Sequence, residues 1–151
     1  MPARNTLIAA RRNRAGCQRR GGVLIEFALV LPIMMTLVLG AIDFGRFAYY
    51  HMAVTNSARA GAGYGMMHPY TSTTQATWQA NIRDAVMKEM QGVPNYSDSS
   101  LTMSAPQVTT DGDGQKRVRV QVQYPFNTLV SWPFIPSHFT LQRAVEMRFI
   151  R

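Results

Sequence analysis

The run from Val23 to Ile42, VLIEFALVLPIMMTLVLGAI, constrains this chain more than any other feature, because it holds only one charge, Glu26. Twenty residues at 1.5 Å each make a helix of about 30 Å, the thickness of bilayer hydrocarbon. A membrane-crossing helix near the front is therefore the expected organising element. The net charge of +8 would ordinarily point to nucleic acid, but it is unevenly placed. Arg4, Arg11, Arg12, Arg14, Arg19 and Arg20 precede the run with no acid among them, leaving ten basic against eight acidic side chains for the rest. The excess is a short arm, so no nucleic-acid partner is expected. By the positive-inside rule the arm is cytoplasmic and the chain beyond Asp43 lies in the periplasm or an equivalent exported space.

A secretory signal peptide also opens with a basic region and an apolar core, and Val38-Leu39-Gly40 offers a weak cleavage site; the core here is longer than the usual 7 to 15 residues. Glu26 complicates a plain anchor. A carboxylate one turn inside an apolar helix either snorkels to the headgroups, sits protonated, or meets a partner. Pro32 removes a helix donor, which predicts a kink that neighbouring helices can satisfy, or a bend that lets the helix leave the bilayer for a bundle.

Little points to catalysis. The sequence shows no Gly-rich phosphate loop, nucleophile elbow or clustered acids. Cys17 is the only cysteine, and His51, His68 and His138 are far apart, so no disulfide, metal or cofactor is expected and the chain is read as a non-enzyme.

Gly21-Gly22-Val23-Leu24-Ile25-Glu26-Phe27 follows the arginine-rich leader and resembles the processing site of type IV prepilins. In that group a dedicated peptidase cuts after a glycine and a glutamate falls fifth in the mature chain, which favours the Gly21-Gly22 bond; cutting after Gly22 is the alternative. The Glu26-Phe27 pair is similar to that of the Flp and Tad subclass. The wider segment, GVLIEFALVLPIMMTLVLGAIDFGRFAYYHMAVTNSARAGAGYG, resembles the opening of the TadE-like pseudopilins at Glu26, Phe27, Pro32, Asp43, Gly45, Arg46, Ala58 and Arg59, and LQRAVEMRFI is similar to their closing strand. The resemblance implies a minor pilin of a Tad-type (type IVc) adhesive pilus that initiates, caps or supports the fibre. It also implies other pilins and pseudopilins, a prepilin peptidase, the inner-membrane assembly platform and membrane lipid as partners. A new amine at Gly22 would lie within reach of Glu26, in the same helix or a neighbouring one, and could set subunit register. The alternative is a single-pass periplasmic binding or scaffold module that never enters a pilus.

The expected fold is α+β: a leader over 1–21, a membrane-spanning and extended helix over 22–65, and a periplasmic domain over 66–151 in which a second helix packs on a three- to four-stranded antiparallel sheet. Phe44, Phe47, Tyr50, His51, Val54, Ala58, Gly61 and Tyr64 recur at helical spacing, so the first helix should continue past the membrane until Gly61, Gly63, Gly65 and Pro69 end it. Ser72 with Gln75 reads as a capping box for the second helix, whose inner face is Trp78, Ile82, Val86 and Met90. Three strands are expected over 101–109, interrupted by Pro106 and therefore at an edge, 117–126 and 140–150, with Arg143 intruding on the apolar face of the last. Asp111-Gly112-Asp113-Gly114 reads as a hairpin turn; as a calcium loop its twelfth position would be Val122. The connection LVSWPFIP, Leu129 to Pro136, is unusually apolar. Trp132, Phe134 and Ile135 either bury against the domain or form a patch for a partner or the membrane surface.

Overall fold

The computed structural model describes residues 15–132 and 136–149, with side chains from residue 21 onward. The fold is α+β: helix α1 (Ala15–Met67), helix α2 (Gln75–Met90), and strands β1 (Thr102–Met103), β2 (Gln107–Thr110), β3 (Lys116–Asn127) and β4 (His138–Arg148). The chain divides into two compact units, Met1–Gly40 and Ala41–Arg151. In the first, the described residues form only α1, and its large apolar side chains are all exposed. The second unit contains the core, with the rest of α1 and α2 packed on one face of an antiparallel sheet.

Strand β3 is the centre of that sheet. Its alternation puts Val118, Val120, Val122, Tyr124 and Phe126 on the buried face, while Arg119 points outward. Strand β4 pairs along its whole length, from Arg117 opposite Arg148 to Asn127 opposite His138. The other rim is shared by β1 and β2, which pair with successive parts of β3. Between those pairings three residues, Ser104 to Pro106, stand against two, Val120 and Gln121, so the rim carries a bulge at the proline. Pro106 cannot donate to a ladder, and an edge bulge is where such a residue is tolerated. Arg143 lies directly opposite Val122, on the apolar face, but remains exposed at the outer rim.

The β2–β3 hairpin closes through a hydrogen bond from Gly114 N to Asp111 O (2.9 Å) and one from Asp111 N to Gln115 O (2.8 Å). Gly114 takes φ +76°, the left-handed value that a three-residue hairpin loop needs at that point. The Asp111 carboxylate pairs with Arg117 on β3 and with Arg148 on β4, so the residue that opens the turn also ties it to the two long strands.

Helix α2 buries Trp78, Ile82, Val86 and Met90, the face its periodicity predicts. Each such aliphatic burial contributes about 1.5–3 kcal/mol. Its start differs from the expected capping box. Thr74 is the N-cap, and its hydroxyl accepts the Thr71 amide at 2.9 Å instead of a helix amide, so Ser72 and Gln75 do not form the reciprocal pair.

The glycines near the end of α1 also serve a different purpose from the expected stop. The helix continues through them to Met67, two residues before Pro69. A Cβ added to Gly61 would stand 2.6 Å from Val86 Cγ2, and one on Gly65 would stand 3.1 Å from both Ile82 Cδ1 and Val118 Cγ2. With Ala58 and Ala62 fully buried beside them, small residues let the α1 backbone approach both α2 and β3. The helical tendency of the surrounding residues, reinforced by packing, outweighs the local cost of glycine, about 1 kcal/mol each.

Gly61→Ala should therefore destabilise the full chain in detergent by about 1–3 kcal/mol through overpacking, with Val86→Ala partly restoring it. Gly63→Ala, where the added methyl meets open space, should instead stabilise by about 0.5–1 kcal/mol. Urea unfolding followed by circular dichroism checks both signs.

Candidate functional site

The residues singled out by sequence fall into two groups. Gly21, Gly22, Glu26, Phe27 and Pro32 lie on the first part of α1, all exposed. Glu26 follows Gly22 by four residues and so shares its helix face. Open space surrounds the Cα of both glycines. The apolar side chains from Val23 to Ile42 face outward on every side of the helix, which is the pattern of a segment immersed in lipid or in a bundle of like helices. This is the one helix among the described residues long and apolar enough to cross a membrane. Helical structure continues unbroken through Pro32, whose carbonyl accepts the Thr36 hydroxyl at 2.8 Å.

The second group centres on Asp43, the first charged residue after the apolar run. Although it is only 6% exposed, four donors converge on its carboxylate. Oδ1 accepts the Leu129 amide at 2.9 Å and Arg46 Nη1 at 3.0 Å; Oδ2 accepts the Trp132 indole N–H at 3.2 Å and the Leu129 and Val130 amides at 3.2 and 3.5 Å. Burial raises the pKa of such a group, but here the Leu129, Trp132, Val130 and Arg46 donors together outweigh it and hold the carboxyl below its usual value. At neutral pH Asp43 is an anion that fastens the β3–β4 connection to α1. The base of that connection is closed separately, by Thr128 N donating to Ser137 O at 3.0 Å.

Arg46 extends this arrangement into the core. Its guanidinium carbon stands 5.4 Å from the Phe126 ring centroid, and Phe126 meets Phe47 edge-on at 6.0 Å and Tyr50 at 5.5 Å. One arginine thus pairs with the buried carboxylate and covers an aromatic ring, two roles that suit a planar cation. Lower down, Tyr49 and Tyr50 donate their hydroxyls to the carbonyls of Gly92 and Pro94, tying α1 to the segment after α2.

The remaining predicted residues separate. Ala58 is fully buried in the core, whereas Gly45 and Arg59 are exposed. Trp132 joins the Asp43 cluster; Phe134 and Ile135 lie outside the described residues. Sequence reasoning missed the amides of Leu129 and Val130, because backbone donors carry no side-chain signature. The available signal was the pair Asp43 and Arg46, three residues apart at the end of the apolar run, together with an apolar loop containing a tryptophan far along the chain.

Asp43→Ala should cost about 2–3 kcal/mol, since it leaves several donors without an acceptor. The folded-state pKa lies below the unfolded one, so the carboxylate's contribution is complete above the unfolded value and fades as pH falls through the folded value. Trp132 emission should therefore hold steady from about pH 7 to about pH 5 and change only below about pH 4, and in Asp43→Ala that acid transition should vanish.

The family model described as TadE-like protein matches residues 21–63. No curated protein and no solved structure matches the chain. The matched segment begins at Gly21, takes in the apolar run, Asp43, Gly45, Arg46, Ala58 and Arg59, and ends before α2 and the sheet; over that segment the chain is similar to TadE-like proteins, a likeness consistent with a TadE-like pilin of Tad pilus systems.

Proposed function

We propose that this chain is a minor pilin or pseudopilin of a Tad-type pilus, held in the bacterial inner membrane by α1 and taking part in fibre assembly through helix packing with other pilins. The observation that carries the reading is a helix apolar on every side, with a single carboxylate one turn after a Gly-Gly pair. Cleavage at Gly21-Gly22 by a prepilin peptidase would remove the six arginines and create an amine within one turn of Glu26. Such an amine, from the same or a neighbouring chain, would offset the cost of a carboxylate in hydrocarbon. An unpaired subunit bears that cost, so the pair favours correctly registered neighbours.

The folded unit beyond the membrane suits an initiating, capping or supporting subunit better than a major pilin, which needs little besides its helix. The role is structural rather than catalytic. In this reading the N-terminus faces the cytoplasm, the domain is periplasmic, and the assembly platform is a further partner. The second reading, a tethered scaffold or binding module outside any pilus, rests on the self-contained core of the second unit.

Mass spectrometry of the protein extracted from membranes that contain an active prepilin peptidase should find a chain beginning at Gly22. Retention of the arginine-rich leader would favour the tethered module. Glu26→Ala should leave membrane insertion intact while sharply lowering co-purification of the other pilins; undiminished recovery of those partners would count against the register role.

A further inference from the structure

The connection after β3 is short of charge, and part of it stays in the open. Leu129 is 62% exposed although its amide is held by Asp43, and Phe44, next to Asp43 on α1, is 71% exposed. Trp132 is half-buried, with its indole N–H committed to the same carboxylate. Three large apolar side chains around one pinned anion are a poor surface to leave in water.

Their position along the chain indicates what covers them. Asp43 directly follows Ile42, the last residue of the apolar run, and lies three residues beyond Gly40. Three residues span at most about 11 Å, so the groups bonded to Asp43 lie close to the exit of the apolar segment whatever angle the segment takes. A tryptophan with an apolar body and a hydrogen-bonded N–H is the side chain that settles at the headgroup level of a bilayer.

We propose that Phe44, Leu129 and Trp132 form an interfacial membrane contact, with Asp43 as the latch that holds the loop in the headgroup and upper acyl region of the bilayer crossed by α1. The latch matters because a free ten-residue connection would lose conformational entropy on settling there, whereas one already fastened at Leu129, Val130 and Trp132 has lost most of it beforehand. The contact limits how far the domain can tilt from the membrane. It requires that the apolar segment span a bilayer, but not that the chain be cut or enter a fibre.

The test uses the full chain in vesicles of phosphatidylethanolamine and phosphatidylglycerol, with and without a phosphatidylcholine dibrominated near the top of its acyl chains. Trp78→Phe leaves Trp132 as the only indole; if that variant folds poorly, the difference between the parent chain and Trp132→Phe supplies the same signal. Brominated lipid should reduce Trp132 emission to about half, and Asp43→Ala should weaken that quenching markedly. Val38→Trp in the Trp78→Phe, Trp132→Phe background reports the anchor itself. Strong quenching of that probe with none at Trp132 would overturn the proposal while leaving the membrane span intact. Quenching of neither would remove both. Trp132 shielded from brominated lipid and from aqueous acrylamide alike would mean that protein covers the patch, and would also overturn the lipid contact. Quenching unchanged by Asp43→Ala would refute the latch.

Discussion

The structure depends on one helix meeting two different demands along its length. From Val23 to Ile42 the side chains of α1, Glu26 and Thr36 apart, are apolar in every direction, so no single face is distinguished. Beyond Asp43 the same helix becomes one-sided, presenting Tyr50, Val54, Ala58, Gly61 and Gly65 to a core and polar residues such as Arg59 to the outside. The first pattern suits lipid and the second suits packing on a sheet. The domain can form only if α1 remains helical after the apolar run ends, because it supplies one wall of that domain's core.

Asp43 marks the change between these two regimes. A charged residue at the end of an apolar helix usually finds water, but here it is enclosed and satisfied by amides far along the chain. The cost of burying the anion is offset by the amide and indole donors and by Arg46, whose guanidinium over the Phe126 ring couples the same point to the core. The outcome is a junction defined by polar geometry at one end and by close apolar packing at the other, where Gly61 and Gly65 admit Val86 and Ile82.

Elements governed by local periodicity were readable from the residues. Trp78, Ile82, Val86 and Met90 mark one helical face, and the alternation from Val118 to Phe126 marks one face of a central strand. Pro106 located the interrupted rim, and Arg143 stood out as a charge on an apolar face, where the register places it. Features that depend on distant partners were not readable. Nothing near Asp43 announces the Leu129 amide, 86 residues away. The glycines of α1 were misleading for a related reason: glycine signals a stop when judged alone, but a close approach when two other elements pack against it. Ser72 and Gln75 fit a capping pattern, yet Thr74 lies nearer the true start and displaces them.

The two rims of the sheet have a consequence for how copies of such a chain can be joined. One rim is broken by the kink at Pro106, and the other carries a cationic side chain where an incoming polypeptide would need a hydrocarbon neighbour. Neither is a good template for extending the ladder into a second molecule. Joining of two copies by main-chain annealing along either rim is thereby discouraged.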